Sequence, residues 1–490
     1  MGFVRATLSW FGGVVSGSRA ISDWGDFVAV RGVVVDDWRR RAGLGVIAGG
    51  LLLAFAWSVS AAAAARPVWT RIGSIRGVEA SQIAFDRRDV PWVVVQRPRP
   101  GGWEIAALTE RGRLSRQRLL PRPPGKEVFG IPQLLVNAKD EGYVELADRP
   151  VGSGSEKLPP EEVAVASWNP GHPLGAPIQL AGNLFTAPST ALAANGTLVV
   201  ASTNVSGNTV FTRFRGDHVT GKQELASGPN TVYLVEAAAR QAGGFFASWA
   251  TRRESNFEMY GVDAAFGSPA GVFGAANETE WPAREMRPAL SAYESLFLSE
   301  GQMFSNGNGA QVVLWTVAKE GLEGARLYAA SRQAGQPFGR PQDLGETSGP
   351  QAAEQAVITP SGRVTILWPH SNSKALFATE GKAGQPFGRS EPVTHTYAVL
   401  DGYEPPRLAL TSRGKLIAAW GLGDAIETAT STDGLHFSHL TVLEPECPHP
   451  PPHGPESLVL SPDRQGGAIA AWTCHPQRNH AVQEFARYHP

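Results

Sequence analysis

Short hydrophobic runs recur along this chain, each placed behind the same kind of turn. In five copies a Gly stands six positions before a Trp that lies within a densely apolar run. These copies are Gly243 with Trp249, Gly309 with Trp315, Gly362 with Trp368, Gly414 with Trp420 and Gly466 with Trp472. Asp86 with Trp92 gives a sixth copy, and Gly142 and Gly196 head two more that lack the Trp. Neighbouring copies are about 50 residues apart, which is the spacing of propeller blades rather than of helical solenoids.

Each repeat predicts four β-strands. The runs are short, rich in Val, Ile and Trp, and bounded by Gly and Pro, a pattern typical of buried strands rather than of helices. In one repeat the second, third and fourth strands are predicted at Val312–Trp315, Arg326–Ala329 and Phe338–Leu344. Four antiparallel strands per repeat form the blade of an all-β propeller. Because a lone blade would expose both apolar faces, we expect neighbouring blades to stack around an axis and to bury the recurring Trp between them.

The two ends of the repeat array predict how the ring closes. Residues 67–75, PVWTRIGSI, have the pattern of a fourth strand without a blade, and Ala481–Arg487 that of a third strand that no fourth strand follows. Pairing these segments would complete the last blade and remove two free strand edges. We therefore predict an eight-bladed propeller closed by its N-terminal strand, with seven blades as the alternative if one of the weaker repeats is not a full blade. The predicted blades span about 79–120, 130–182, 186–226, 230–276, 286–345, 350–394, 402–444, and 455–488 together with 67–75.

Residues 1–66 have the composition of an export signal. Arg39–Arg41 precede an almost wholly apolar stretch, Ala42–Val59, and the small residues Ala61–Ala65 come just before Arg66. This order predicts a signal helix within an N-terminal extension, and the Ala residues favour its cleavage. The stretch is also long enough to remain as a membrane anchor. Residues 67–490 then form a single propeller domain, which we expect to be secreted or, in the alternative, membrane-anchored and extracytoplasmic.

Composition narrows the range of partners. Charged residues make up 18% of the chain, and the formal net charge is −1. No basic stripe is present to neutralise a phosphate backbone, so we do not expect nucleic acid as a partner. Arg is much more common than Lys, which we interpret as the signature of a GC-rich bacterial genome. We expect a monomer without a cofactor, whose partner is a carbohydrate or an extracellular protein.

The chain has two cysteines, Cys447 and Cys474. In the predicted blade order they fall in two connections that share one face of the propeller. Such a pair is oxidised outside the cytoplasm, so we predict a disulfide between them. His449, His453 and His475 lie nearby and make a Cys/His metal site the alternative, but the CxxC spacing of a metal knuckle is missing. The prediction is therefore one disulfide and no metal.

Candidate binding residues lie in the connections of that same face, which join a second strand to a third, or a fourth strand to the next blade. The candidates are Arg97, Arg252, Arg253, Trp281, Arg287, Tyr397, Tyr403 and Glu404. The richest predicted loop is Asn277–Pro288, in which Trp281 stands among Glu and Arg residues. An exposed Trp with flanking charges suits sugar stacking or protein contact. Packing over the central channel as a plug is the alternative for this loop.

The predicted turn between third and fourth strands carries a further pattern. SRQAGQPF, which begins at Ser331, and STDGLHF, which begins at Ser431, resemble the Asp-box S-x-D-x-G-x-x-W/F of the sialidase-like propeller superfamily. The segment AGQPFGR occurs at 334–340 and again at 383–389, which marks the same turn in successive blades. The resemblance covers about residues 67–490 at the level of the fold. In that family the boxes are structural turns away from the active site.

The resemblance also implies a candidate activity. Sialidases bind the substrate carboxylate with clustered arginines and use a Tyr nucleophile that a Glu assists; here Tyr403 and Glu404 would take the last two roles. The first blade has QRPRP at Gln96–Pro100, where that family has an Arg-Ile-Pro signature. The GxSxG, HExxH and Walker patterns do not occur in the sequence. We predict a secreted, non-catalytic module that binds a glycan, a cell-wall component or a protein. An exo-sialidase type of glycoside hydrolase is the alternative.

Overall fold

The structure is a computed structural model, and all of its regular secondary structure is β-strand in the residues that it describes. These residues are 68–97, 102–121, 126–128, 132–150, 162–180, 188–204, 208–225, 231–252, 259–280, 282, 297–298, 301–318, 325–347, 354–370, 375–394, 405–422, 425–443, 456–477 and 480–490. Within them, no helix has the length and apolarity needed to span a membrane. The predicted signal in residues 1–66 lies outside this part of the chain.

The first four blades follow one another along the chain after strand β1, Val68–Arg76. Blade 1 contains β2 Glu79–Phe85, β3 Pro91–Gln96, β4 Trp103–Leu108 and β5 Leu114–Leu119. Blade 2 contains β6 Lys126–Val128, β7 Gln133–Val136, β8 Gly142–Pro150, β9 Glu162–Trp168 and β10 Ile178–Leu180. Blade 3 contains β11 Ser189–Leu192, β12 Thr197–Thr203, β13 Thr209–Arg215 and β14 His218–Leu225. Blade 4 contains β15 Thr231–Ala239, β16 Phe245–Arg252, β17 Met259–Gly267 and β18 Asn277–Glu280.

The remaining four blades repeat this order. Blade 5 contains β19 Phe297–Leu298, β20 Gln302–Ser305, β21 Gln311–Ala318, β22 Ala325–Arg332 and β23 Gln342–Thr347. Blade 6 contains β24 Gln355–Ile358, β25 Arg363–His370, β26 Ala375–Lys382 and β27 Glu391–Thr394. Blade 7 contains β28 Arg407–Leu410, β29 Leu416–Leu422, β30 Ala425–Ser431 and β31 Ser438–Leu443. Blade 8 contains β32 Glu456–Pro462, β33 Ala468–Gln477, β34 His480–His489 and, as its fourth strand, β1. In blades 2 and 5 the first strand is split into two pieces that pair with the same second strand.

The blades form a closed ring. The first strand of each blade contacts the first strand of the next, and β32 of blade 8 contacts β2 of blade 1. Strand β1 pairs with β34 from Val68 opposite His489 to Arg76 opposite Val482. The prediction of eight blades closed by the N-terminal strand is therefore confirmed, and seven blades is excluded. The first strands surround the axis, and the fourth strands form the outer rim.

All eight blades join their first and second strands by the same five-residue turn. The N–H of the first turn residue donates to the carbonyl of the fifth in every blade. The fourth turn residue has a positive φ in every blade, and it is Gly in six of them. In blades 1 and 2 this position holds Asp89, with φ 56°, and Asp140, with φ 65°. We call the side of the ring that carries these turns the short-turn face.

The Asp turns correct the repeat register of the first two blades. The sequence suggested Asp86 with Trp92, and Gly142, as counterparts of the Gly and Trp positions in the other blades. In the structure Asp89 and Asp140 take the Gly position. Counting six residues onward from them places Val95 and Leu146, both fully buried, at the Trp position. Asp is among the few side chains that tolerate the left-handed region, so a search for Gly missed these turns.

The five recurring Trp side chains are buried between blades, as predicted. Each is at most 2% exposed. Each belongs to a cluster that also contains residues of the preceding blade: Trp368, for example, packs with Val312 and Leu314 of blade 5. Trp420 packs with Leu367 of blade 6. Burial of an aromatic side chain of this size is a leading contribution to the core, so these residues hold neighbouring blades together.

The turns that resemble Asp-boxes also lie on the short-turn face, between third and fourth strands. Ser431 Oγ accepts the N–H of Gly434 at 2.9 Å and lies 2.9 Å from Asp433 Oδ1. Asp433 Oδ1 also accepts backbone N–H groups of the two residues that follow Gly434. The corresponding turns of blades 5 and 6 bond to each other: Ser331 Oγ of blade 5 accepts the N–H of Gly384 of blade 6 at 3.0 Å. These side chains satisfy turn backbone groups, which is a structural role.

Candidate functional site

Two of the eight predicted binding residues lie where second strands end, at the face of the ring opposite the short-turn face. We call it the long-loop face; second and fourth strands end there, and third and first strands begin there. Among the described residues, Arg97 follows the end of β3 and Arg252 is the last residue of β16. The other candidates lie outside the described residues, in segments that join strand ends of this face: Arg253, Trp281, Arg287, Tyr397, Tyr403 and Glu404. The structure therefore locates Arg97 and Arg252 at this face, and the location of the other six candidates stays a prediction.

Arg97 is engaged within its own blade. Its Nε lies 2.9 Å from Glu104 Oε2. Its Nη2 donates to Gln117 Oε1 at 2.9 Å. These contacts connect the end of the second strand of blade 1 to its third and fourth strands. The guanidinium group is thus already paired at the surface, where such an ion pair contributes at most about 1 kcal/mol to stability.

The predicted loop Asn277–Pro288 begins later than the sequence suggested. Its first residues, Asn277–Glu280, form β18 and pair with β17 from Asn277 opposite Ala264 to Glu280 opposite Gly261. The polar sequence NETE suits a fourth strand, because that strand lies at the outer rim of the blade. Trp281 therefore directly follows a strand end of the long-loop face.

Cys474 lies near the long-loop end of β33. It is fully buried and is not a free thiol. Cys447 and the three nearby His side chains lie outside the described residues or carry no described side chain. The burial and the bonded state of Cys474 agree with the predicted disulfide, and its pairing with Cys447 stays a prediction.

A ring of half-buried polar side chains surrounds the axis, and the sequence reading missed it. The position four residues before each turn on the first strands is polar in seven of eight blades and partly exposed in all of them. We call these residues the axial belt: Gln82, Gln133, Ser189, Glu236, Gln302, Gln355, Arg407 and Val459. Alignment of the eight turns would have found this position, but the first strands are too short to show it by periodicity.

Side chains of the axial belt join blade 1 to blade 2, blade 3 to blade 4, and blade 7 to blade 8. Gln82 Oε1 accepts the N–H of Leu134 at 2.6 Å. Ser189 Oγ accepts the N–H of Ala237 at 2.9 Å. Arg407 Nε donates to the Leu458 carbonyl at 2.8 Å. Because first strands are the innermost strands, these bonds satisfy backbone groups of the next blade that face the axis, and they tie the blades together.

Two glutamates near the axis carry raised pKa values. Burial raises the pKa of Glu236, an axial-belt residue, to about 8, although the N–H of Ser305 hydrogen-bonds its carboxyl group. Burial likewise raises the pKa of Glu145, which pairs with Gln133 across β7 and β8, to about 7. One carboxyl oxygen of each has no hydrogen-bond partner. These two acids lie in different blades, so the described structure does not bring them together as an acid–base pair.

Metal-ligand side chains are not clustered in the part of the chain that the structure describes. No group of three or more His, Cys, Asp and Glu side chains there could hold a metal ion. The axial belt itself is largely neutral: Glu236 carries its one carboxyl group and Arg407 its one guanidinium group.

Comparisons with known proteins carry no argument about the fold or the function of this chain. No protein-family model and no curated protein matches this chain. The polysaccharide lyase Uly1 is 10% identical, with a TM-score of 0.45 over 75% of this chain and 90% of that chain. A PL25 ulvan lyase is 11% identical, with a TM-score of 0.40 over 76% of this chain and 96% of that chain. An α-L-arabinanase of Penicillium chrysogenum is 10% identical, with a TM-score of 0.33 over 61% and 92%.

Proposed function

We propose that this protein is a secreted, non-catalytic propeller whose long-loop face binds a glycan, a cell-wall component or an extracellular protein. The observation that supports this proposal is the position of Arg97 and Arg252 at second-strand ends of this one face; strand ends of the same face also flank the connections that contain the other six candidates. Loops held by a rigid scaffold are the common location of binding residues. Aromatic and Arg side chains are the residue types that contribute most to such surfaces.

The pairing of Arg97 counts against sialidase-like hydrolysis, and it equally withdraws Arg97 from the residues that would contact a bound ligand. A sialidase-like site would need its arginines available for the substrate carboxylate, whereas Arg97 is paired with Glu104 and Gln117. The turns at Ser331 and Ser431 support kinship with the Asp-box propellers only at the level of structural turns. The hydrolase remains the second candidate, with Tyr403 as its nucleophile and Glu404 as its assisting acid.

Replacing Trp281 tests the binding face. We expect Trp281→Ala to weaken binding to a glycan array or to purified cell-wall polymer at least about tenfold, because an aromatic anchor contributes about 2 kcal/mol or more. The matched control is Leu119→Ala, which removes an apolar side chain that is 67% exposed on the outer strand β5. Unchanged binding by Trp281→Ala, or equal loss in both variants, would contradict the proposal.

The hydrolase is tested on the same preparation of residues 67–490. Fluorogenic sialosides and a panel of aryl glycosides are incubated with the wild-type protein and with Tyr403→Phe. We expect no turnover above the buffer rate. Turnover by the wild-type protein that is lost in Tyr403→Phe would contradict the non-catalytic binding module and support the hydrolase.

A further inference from the structure

A cavity of about 580 Å³ lies on the short-turn face, over blades 8 and 1. Its wall includes Arg88 and Arg413 from two first-to-second strand turns, Asp463 from a third such turn, and Arg487 from the end of β34. This volume falls within the range of small-molecule sites. The cavity is on the opposite side of the ring from the proposed binding face and does not depend on it.

The buried acid of this cavity is already neutralised. Asp463 Oδ1 accepts the N–H groups of Gln465 at 2.9 Å and Gly467 at 2.6 Å. Asp463 Oδ2 accepts Arg487 Nη2 at 3.2 Å, and the Asp463 side chain is 3% exposed. Its charge therefore holds the turn and Arg487 in place and is not directed at the other arginines.

The second buried acid, Asp89, also serves the fold. Its Oδ1 accepts the N–H of Arg464 at 3.1 Å, which joins the turn of blade 1 to that of blade 8. By contrast, Arg88 and Arg413 are exposed and make no ion pair within the described part of the chain. Glu110 is the exposed carboxylate of the wall. Arg88 and Arg413 are thus two positive groups that remain available at the cavity, and the exposed Arg116 of β5 is a third cation of its wall.

Arg413 reaches the cavity because the turn of blade 8 leaves room for its stem. A Cβ atom on Gly466 would lie 2.6 Å from Arg413 Cδ and 2.9 Å from its Nε. Gly466 also has φ 93°, which disfavours any other residue. The Gly therefore allows an arginine of blade 7 to cross blade 8 toward the junction with blade 1.

The geometry points to a second binding site in this cavity, which takes a tetrahedral oxyanion group, phosphate or sulfate. Guanidinium groups bind such groups through paired, charge-assisted hydrogen bonds. Arg88 and Arg413 supply these donors, and the hydroxyl group of Thr109 lies in the same wall. Glu110 opposes the anion and limits the site to a compact charged group. A free inorganic ion and the charged group of a phosphorylated or sulfated sugar share this chemistry.

Calorimetric titration with inorganic phosphate and with sulfate, at constant ionic strength set by chloride, tests the site. We expect saturable binding that Arg88→Gln and Arg413→Gln each weaken about tenfold, the usual effect of losing a hydrogen bond to a charged group. We expect Glu110→Gln to strengthen it. The matched control is Arg118→Gln, which removes an exposed guanidinium of β5 that donates to the Gln117 carbonyl and does not line the cavity. Circular dichroism confirms that each variant is folded.

Parallel titrations with glucose 6-phosphate and with a sulfated oligosaccharide distinguish the sources of the anion. Tighter binding of either sugar than of the inorganic ion, with the same dependence on Arg88 and Arg413, would assign the site to that sugar. Binding of the inorganic ion alone would assign it to a free anion. Absence of binding in every titration, or equal weakening by Arg118→Gln, would overturn the inference.

Discussion

Deletion of residues 68–76 is expected to prevent the stable folding of the entire ring. Strand β1 is the fourth strand of blade 8, so its loss would leave β34 as an unpaired edge. It would also remove Ile72 and Ile75, which pack against the core of blade 1 and blade 8. Trp69, whose ring centroid lies 5.4 Å from that of Tyr488, would be lost as well. We expect insoluble protein, or a chain without a cooperative thermal transition by circular dichroism.

The ion pair of β1 accounts for a large part of this effect. Arg71 pairs with Glu484, whose side chain is fully buried. Removing the partner of a buried charge costs about 3 to 5 kcal/mol, which is a large fraction of the stability of a typical domain. We therefore expect Arg71→Ala alone to lower the thermal midpoint clearly, whereas Arg76→Ala on the same strand serves as the control.

A circular permutant separates the pairing of β1 from its position in the sequence. Val68 lies opposite His489, so residues 68–77 can be appended after Pro490 through a short Gly/Ser linker. The chain then begins at Val78, a buried core residue that directly precedes β2. We expect this permutant to recover a cooperative transition that the deletion lacks. A deletion protein that melts like the wild type would contradict the role of β1 in closing the ring.

The closed ring could be predicted from the sequence because the repeat is written in residues with strong local preferences. Gly at a left-handed turn position and Trp at a buried position recur together in five blades, and they set the period. Blades 1 and 2 were placed in the wrong register because Asp89 and Asp140 adopt the same backbone conformation as Gly. Strand β18 was taken for a loop because an outer strand needs few apolar residues.

The candidate site was predicted less completely, for a different physical reason. Assigning residues to the long-loop face needs only the strand order, which the repeat supplies. The axial belt depends on the contacts between blades: Gln82 and Gln133 are ordinary polar residues until the ring places each beside the backbone or side chain of the next blade. The oxyanion cavity depends on Arg413 crossing Gly466, a contact between blades 7 and 8 that local sequence cannot show.

Raising the pH from 5 to 8 is expected to destabilise the protein through its buried glutamates. Burial raises the pKa of Glu145 and of Glu354, at 5% and 3% exposure, to about 7. It raises the pKa of Glu236 to about 8. A folded-state pKa above the unfolded value means that the folded protein binds the proton more tightly. The free energy of unfolding therefore falls as the pH rises from about 4.5 to about 8, and it changes little outside that window through these groups.

Ionisation of Glu145 and of Glu354 is each expected to lower the free energy of unfolding by about 2 to 3 kcal/mol at pH 8 relative to pH 5, from the free energy of a pKa shift. Glu145→Gln and Glu354→Gln keep the shape of the protonated acid and remove its titration. We expect each variant to be more stable than the wild type at pH 8 and close to it at pH 5, with a smaller slope of stability against pH between them. Urea unfolding at a series of pH values measures this slope, and Glu110→Gln, an exposed position, should leave it unchanged. If neither buried variant reduces the wild-type slope, Glu145 and Glu354 are solvated in the folded protein. That outcome would contradict the close packing of the inner strands around these two side chains.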